Sequence, residues 1–459
     1  MNVSFLQELL NTVAEQGRQY LPSALVGSSR RAEIRDLARA LVSNRGEASG
    51  VAIAHEILTQ YRAMAGKERG QFFKFLAETM SADAEAVTRA ATSYLAQPDA
   101  KGLARLQAAV ESPRQEFFRR LNLAPGATAE IVAMRREVLL GKSADPSLAA
   151  VATDMEHLLS SWFNRGFLVL RRIDWNAPAA ILDKIIAYEA VHAIQGWDDL
   201  RRRLDPNDRR CFGFFHPSLV DEPLIFVEVA LMADIPGSIQ AVLGAHPGPR
   251  GAAPTTAVFY SISNCQEGLK GISFGNFLIK QVVEDLVKER PSLTTFVTLS
   301  PVPGFARWLD TVMAGDTDGV LRDDDRAMVK ALQNPRWLDG PDEGAAFRPA
   351  LTALAADYFL RARSGDGRPI DPVARFHLGN GARLERINWL GDVSKKGLSE
   401  AHGLMVNYRY DLAEIESNHE AYAKQGTVAA AKGVRALLRP VDKAKLPPPT
   451  RIGPVVPKG

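Results

Sequence analysis

Residues 266–275 read Gln-Glu-Gly-Leu-Lys-Gly-Ile-Ser-Phe-Gly, a glycine-rich turn set between segments of different periodicity. Upstream, Thr255 to Ile262 is rich in β-branched and aromatic residues and short enough for a strand. Downstream, Phe274, Phe277, Leu278, Val282, Leu286 and Val287 recur at helical spacing until Pro291 stops the segment. A tight turn feeding a helix N-terminus offers backbone N–H groups and the positive end of the helix dipole to an anion. Gly268, Gly271 and Gly275 remove Cβ atoms there, and Lys270 adds a full charge. Neither the P-loop nor the Rossmann pattern is spelled, so the residues alone leave both a phosphate site and an ordinary turn open.

The strand grammar recurs at Phe167–Leu170, Leu224–Leu231 and Thr294–Leu299, with amphipathic segments between. Residues 161–424 therefore read as a mixed α/β domain. Ahead of it, residues 1–160 read as helix after helix, an all-helical bundle. Phe5, Leu9, Leu10 and Val13 share one face, as do Ile34, Leu37, Ala38 and Leu41. Ser112-Pro113-Arg114-Gln115 spells a helix start, with Ser at N-cap, Pro in the first turn and Gln placed to close a capping box. Phe72, Phe73, Phe75 and Leu76 are expected in the core rather than on a partner surface. Residues 425–459 turn Ala-rich and then Pro-rich, which predicts a helix and a loosely held tail.

At 459 residues, two domains are expected, and 46% hydrophobic against 24% charged residues is the balance of a globular protein. A net charge of +3 is too small to indicate a nucleic-acid binder, though it would not repel an anionic substrate. Cys211 and Cys265 form no CxxC pair, which argues against a disulfide framework and a Cys-based zinc site. No run reaches the roughly 18 apolar residues of a membrane helix. No secretory leader or peroxisomal ending is spelled, so the cytoplasm is the expected location.

Four further stretches narrow the reading: Tyr260-Ser-Ile-Ser263 running into the glycine turn; Leu299-Ser-Pro-Val-Pro-Gly-Phe305; Phe376-His-Leu-Gly-Asn-Gly-Ala382 with Arg386-Ile-Asn-Trp389; and Gly403-Leu-Met-Val-Asn-Tyr-Arg-Tyr410. In this order the chain resembles the malonyl-CoA decarboxylases, whose catalytic domain has the acyl-CoA-binding fold of the GNAT acetyltransferases. The resemblance implies conversion of malonyl-CoA to acetyl-CoA and carbon dioxide without metal or organic cofactor. It also implies that Gly268, Lys270, Gly271, Ile272, Ser273, Phe274, Gly275 and Asn276 hold coenzyme A. Some relatives carry an acidic residue where this chain has Ser273, so a scheme needing a carboxylate there is in doubt.

The chemistry asks little of a cofactor, because the thioester itself delocalises the carbanion. The protein must hold the carboxylate out of the thioester plane, stabilise the oxyanion and deliver a proton. His377 matches the family's catalytic His and is expected near a strand end, because Asn380-Gly381 is a turn signal. Ser300, at the end of a predicted strand, matches its partner in a Ser–His dyad. Tyr410 and Ser261 match further positions lining the family's site. By residue type alone, each could equally be structural. His192, His216 and His402 compete with His377, while Arg386 and Asn388 read as structural. Arg201, Arg202, Arg203, Arg209 and Arg210 form either a solvated face or a site for the 3′-phosphate of coenzyme A. An acyl-CoA-dependent acyltransferase and a non-catalytic acyl-CoA sensor are the rival readings. Self-association is expected of a helical half with surplus apolar surface.

Overall fold

The computed structural model describes residues 33–43, 46–244, 253–272, 274, 278–315, 321–332, 334, 337–338 and 343–440. The helical face expected for Phe5 to Val13 and the Pro-rich tail lie outside them. So do Ser273, Gly275 and Asn276.

Contacts divide the chain into two compact units. One comprises the described residues up to Arg171 with Gly213–Ile225 and Asn264–Gly275. The other comprises Arg172–Phe212, Phe226–Ser263 and the described residues from 278 onward. The glycine turn therefore clusters with the helices of the N-terminal half.

The helical unit holds α1 (Ile34–Val42), α2 (Glu47–Ala63), α3 (Gly66–Thr79), α4 (Ala84–Ala96), α5 (Ala100–Val110), α6 (Pro113–Leu121), α7 (Ala127–Gly141) and α8 (Leu148–Trp162). Phe72, Phe73, Phe75 and Leu76 of α3 are buried, as expected, with Phe117 and Phe118 of α6 beside them. Ser112 caps α6 through Gln115 N–H. The Gln115 side chain does not close the box. It joins Ser112 and Arg114 on the buried carboxylate of Asp154, which gathers three donors from one helix start. That arrangement satisfies a carboxylate that burial would otherwise penalise.

The other elements are β1 (Val169–Ile173), α9 (Ala179–Tyr188), α10 (Trp197–Leu204), β2 (Arg209–Phe215), β3 (Pro223–Met232), α11 (Ile239–Gly244), β4 (Thr256–Asn264) and α12 (Leu278–Glu289). After them come β5 (Thr295–Thr298), β6 (Ser300–Pro301), α13 (Phe305–Gly315), α14 (Asp323–Ala331) and α15 (Glu343–Leu360). The chain closes with α16 (Pro372–Gly379), β7 (Arg383–Asn388), α17 (Lys395–Ala401), β8 (Met405–Arg409), α18 (Ile415–Gln425) and α19 (Lys432–Ala436). The strands form one mixed sheet in the order β1-β2-β3-β4-β5-β8-β6, with β7 also on β8. β4 and β5 run parallel, in register from Thr256↔Thr295 to Phe259↔Thr298. β8 runs antiparallel to β5, β6 and β7.

Alternation along the strands sets two faces. Val258, Tyr260, Val297, Leu299 and Met405 pack into an apolar cluster with α11. Phe259, Ser261, Thr298, Ser300, Tyr408 and Tyr410 have the opposite parity and look the other way.

Three of the four predicted strands are present as β3, β4 and β5, while the first begins later than expected, at Val169, because Arg165–Phe167 forms a 3-10 turn. β2 was not expected, because Arg209 and Arg210 read as surface charge. Both are buried in the strand, Arg209 on Asp208 and Arg210 on Glu289, while Arg203 is buried against Glu228. The basic cluster is thus broken up, leaving only Arg201 and Arg202 exposed. Ion pairing offsets the cost of burying the other three. Past α18 the expected helix is present as α19, and the chain is held as far as Arg439: Leu384 of β7 bonds Ala429 and Ala431, and Arg439 pairs with Asp325.

Candidate active site

Helix α16 exists because Asp371 and Pro372 open it. The Asp371 carboxylate accepts from Ala374 N–H, and Pro372 occupies the first turn, where its missing N–H costs nothing. Asn380 and left-handed Gly381 end it. His377 therefore lies in the last turn of a helix and not at a strand end. The Asn-Gly pair stops a helix here instead of turning a hairpin. Gly381 is fixed twice over, by its φ of 81° and because a Cβ would collide with the Ile415 carbonyl.

His377 is 3% exposed, its ring stacked on Tyr408 with centroids 4.5 Å apart. Its Nε2 lies 3.1 Å from Ser300 Oγ, and its Nδ1 lies 2.8 Å from Tyr410 Oη. The bonds fix the proton positions. Burial pushes the Tyr410 phenol up, so it keeps its hydrogen and donates it to Nδ1. Nε2 then carries the ring proton and donates to Ser300 Oγ. The Ser300 hydroxyl passes its own hydrogen to Thr298 Oγ1 at 2.8 Å, and Thr298 Oγ1 also accepts from Tyr408 N–H. Burial with no compensating charge lowers the His377 pKa to about 3, so the imidazole is neutral before substrate binds.

Two of the motifs are tied from behind. Gly304, four residues past Ser300, has no room for a Cβ because the Tyr358 hydroxyl occupies that space. That hydroxyl donates to Asp371 Oδ2 at 2.9 Å, the same carboxylate that caps α16. The loop carrying Ser300 and the helix carrying His377 thus meet on one phenol.

Ser261 shares a sheet face with Phe259, whose ring packs 6.5 Å from that of Tyr410. Its Oγ lies 2.9 and 2.7 Å from the two oxygens of Glu189, a buried carboxylate just past α9. Glu189 also accepts from the N–H groups of Val191 and His192. With its hydrogen given to Glu189, Ser261 offers an anion only lone pairs.

The glycine turn is a short 3-10 helix, Glu267–Leu269, followed by Gly271 at φ 86°. Gly271 answers a backbone requirement. Gly268 answers a packing one, since a Cβ there would collide with the Val132 carbonyl of α7. Lys270 and Gly271 are exposed, Ile272 is buried and Phe274 is half-buried.

Of the competing histidines, His216 is engaged by the Trp162 carbonyl and Ser218 N–H, and His402 is a left-handed helix cap packed on Phe305. Burial pushes His192 down to about 4, and its Nε2 meets no partner among the described residues. Arg386 ties Asn388 and Asn407 to the Ile235 and Pro236 carbonyls, a structural role as expected. Among the described residues no group of three or more His, Cys, Asp or Glu could hold a metal ion.

The residues that sequence reasoning missed are Thr298, Tyr408, Tyr358, Asp371 and Glu189. Thr298 ends β5 two residues before Ser300, and Tyr408 lies on β8 two residues before Tyr410, so the alternation of extended backbone alone could have named them.

The sequence profile described as the malonyl-CoA decarboxylase C-terminal domain matches residues 166–446, and that of the N-terminal domain matches residues 80–163. The chain belongs to the malonyl-CoA decarboxylase family. It is 34% identical over 413 residues to the mitochondrial malonyl-CoA decarboxylase of Anser anser anser, covering 83% of this chain and 82% of that protein. Among solved structures, malonyl-CoA decarboxylase from Rhodopseudomonas palustris shares 53% identity, with a TM-score of 0.84 over 88% of this chain and 98% of that one. The Agrobacterium vitis structure shares 52%, with a TM-score of 0.84 over 89% and 100%. Membership makes the chain a carboxy-lyase acting on malonyl-CoA. No described helix is long and apolar enough to cross a membrane.

Proposed function

We propose that His377 and Ser300 carry out the decarboxylation of malonyl-CoA, with Tyr410 setting the imidazole. The observation that carries this is a buried imidazole held at both nitrogens, 3.1 Å from Ser300 Oγ and 2.8 Å from Tyr410 Oη.

Burial keeps the imidazole neutral until substrate arrives. A malonyl carboxylate entering the site brings the one charge that favours an imidazolium. Breaking the bond between the carboxylate carbon and the α-carbon releases carbon dioxide and leaves its electron pair in the thioester enolate. In this reading substrate draws the Ser300 hydrogen away from Thr298 Oγ1 and the Nε2–H away from Ser300 Oγ, so that both donate to this charge. The imidazole takes up one proton from solvent as substrate binds, and the α-carbon then takes that proton from the imidazolium, giving acetyl-CoA and the neutral ring again. A general acid so placed contributes about 10²–10⁴ in rate.

In the same reading, the 266–276 turn holds the phosphates of coenzyme A, supported by exposed Lys270 beside left-handed Gly271. Self-association belongs to it too, supported by Leu95, Leu103 and Val110, exposed on the α4/α5 pair. A cytoplasmic site of action is in keeping with the bacterial structures that the chain matches over most of its length.

The test is release of carbon dioxide from malonyl-CoA by His377→Asn. A fall of at least about a hundredfold at saturating substrate is expected, and near wild-type turnover rejects the assignment.

A further inference from the structure

The glycine turn is braced from two sides, by its own bonds from the N–H groups of Leu269, Lys270 and Ile272 to the Gln266, Glu267 and Leu269 carbonyls, and by helix α7. The Arg135 guanidinium, 1% exposed, donates through one nitrogen to the carbonyls of Gly268 at 2.6 Å and Lys270 at 2.9 Å. Its other terminal nitrogen meets Glu156 of α8 at 3.1 Å, a half-exposed carboxylate that ties the fork to a second helix. One residue on, Arg136 pairs with Glu267 at the rim of the same turn. Between these contacts Gly268 is pressed so close to the Val132 carbonyl that no Cβ fits.

These contacts act on one object. The Lys270 carbonyl shares its peptide with the N–H of exposed Gly271, so holding that carbonyl from behind fixes the direction of this amide, while the N–H groups of Leu269, Lys270 and Ile272 are spent on the Gln266, Glu267 and Leu269 carbonyls within the turn. Direction is what an anion site made of amides needs, because each donor must already point at the ligand. Arginine is well suited here, since its planar fork stays charged when buried and reaches two acceptors and a carboxylate at once.

We propose that Arg135 is a positioning residue for acyl-CoA binding, pre-setting the 266–272 turn from the helical unit. The inference rests on reading that turn as the holder of coenzyme A phosphates. It gives the N-terminal helices a share in substrate recognition apart from any role in self-association.

The experiment compares Arg135→Gln, Arg135→Lys and Lys270→Gln for coenzyme A affinity by calorimetry, for KM and kcat with malonyl-CoA, and for Tm. Arg135→Gln is expected to raise KM and the coenzyme A Kd about tenfold, as loss of charge-assisted bonds to the turn predicts, and to lower kcat much less. Arg135→Lys should recover part of the affinity, since an ammonium can still reach one carbonyl. A merely structural arginine would lower Tm and leave the Kd of the folded protein unmoved; that result overturns the proposal. If Lys270→Gln also leaves coenzyme A affinity unchanged, the phosphate reading of the turn falls as well. A weakened Lys270→Gln beside an unaffected Arg135→Gln rejects only the positioning role. Should Arg135→Gln fail to fold, Arg135→Lys and the surface variant Glu267→Gln carry the test. Raised Kd in both supports the proposal, and unaltered Kd in both overturns it.

Discussion

Replacing His377 by Gln should make the protein more resistant to acid relative to its stability at neutral pH. Burial holds the His377 pKa near 3 in the folded chain, against 6.5 when exposed. The unfolded chain therefore binds a proton that the folded chain refuses, and stability falls as pH drops below 6.5 and levels off below 3. The full span corresponds to about 5 kcal/mol, and roughly half of it falls between about pH 7 and about pH 4.5. Urea unfolding followed by tryptophan fluorescence at both pH values, on wild type and His377→Gln without substrate, measures it. Carboxylates and the other histidines titrate in both proteins and cancel in the difference. The stability lost by wild type on acidification should exceed the loss in the variant by roughly 2–3 kcal/mol. Parallel losses would refute the neutral buried imidazole, and with it the idea that substrate supplies the charge that protonates it.

Other consequences follow from the same geometry. Ser300→Ala should lower kcat about a hundredfold or more with little change in KM, read from steady-state carbon dioxide release, because its hydroxyl leaves Thr298 Oγ1 only for charge that develops in the transition state. Tyr410→Phe removes the donor that fixes Nδ1 and should lower kcat about 5- to 30-fold while coenzyme A affinity holds; equal losses in both would place Tyr410 elsewhere. Tyr358→Phe leaves Asp371 Oδ2 short of a partner and should cost about 1–3 kcal/mol in urea unfolding, with a fall in kcat. An unaltered kcat in that variant would show that the phenol supports the fold but not the dyad.

Much of this site was legible because strands and motifs advertise themselves. The strands around the glycine turn show in their β-branched runs, and His377, Ser300 and Tyr410 stand inside long motif matches. What stayed hidden was held by single side chains reaching across the chain. Nothing around Arg135 in the sequence says that its partners are carbonyls 133 and 135 residues away. Nor does anything around Glu189 announce that it grips Ser261. Charge was also a poor guide to exposure: three arginines of an apparent basic cluster are buried, because their counter-ions come from Asp208, Glu228 and Glu289. Asn380-Gly381 misled for a related reason. The dipeptide permits a left-handed backbone, and a helix end uses that freedom as readily as a hairpin does.

The phenol of Tyr358 fills the space beside Gly304 while holding the carboxylate that starts the His377 helix. A displacement of either segment must therefore drag the other, and the gap between imidazole and hydroxyl changes little when both shift together. Redesign of the loop after Ser300 is constrained accordingly. Any side chain introduced at position 304 needs a smaller residue at 358, and that exchange would loosen the Ser300–His377 pair it was meant to leave alone.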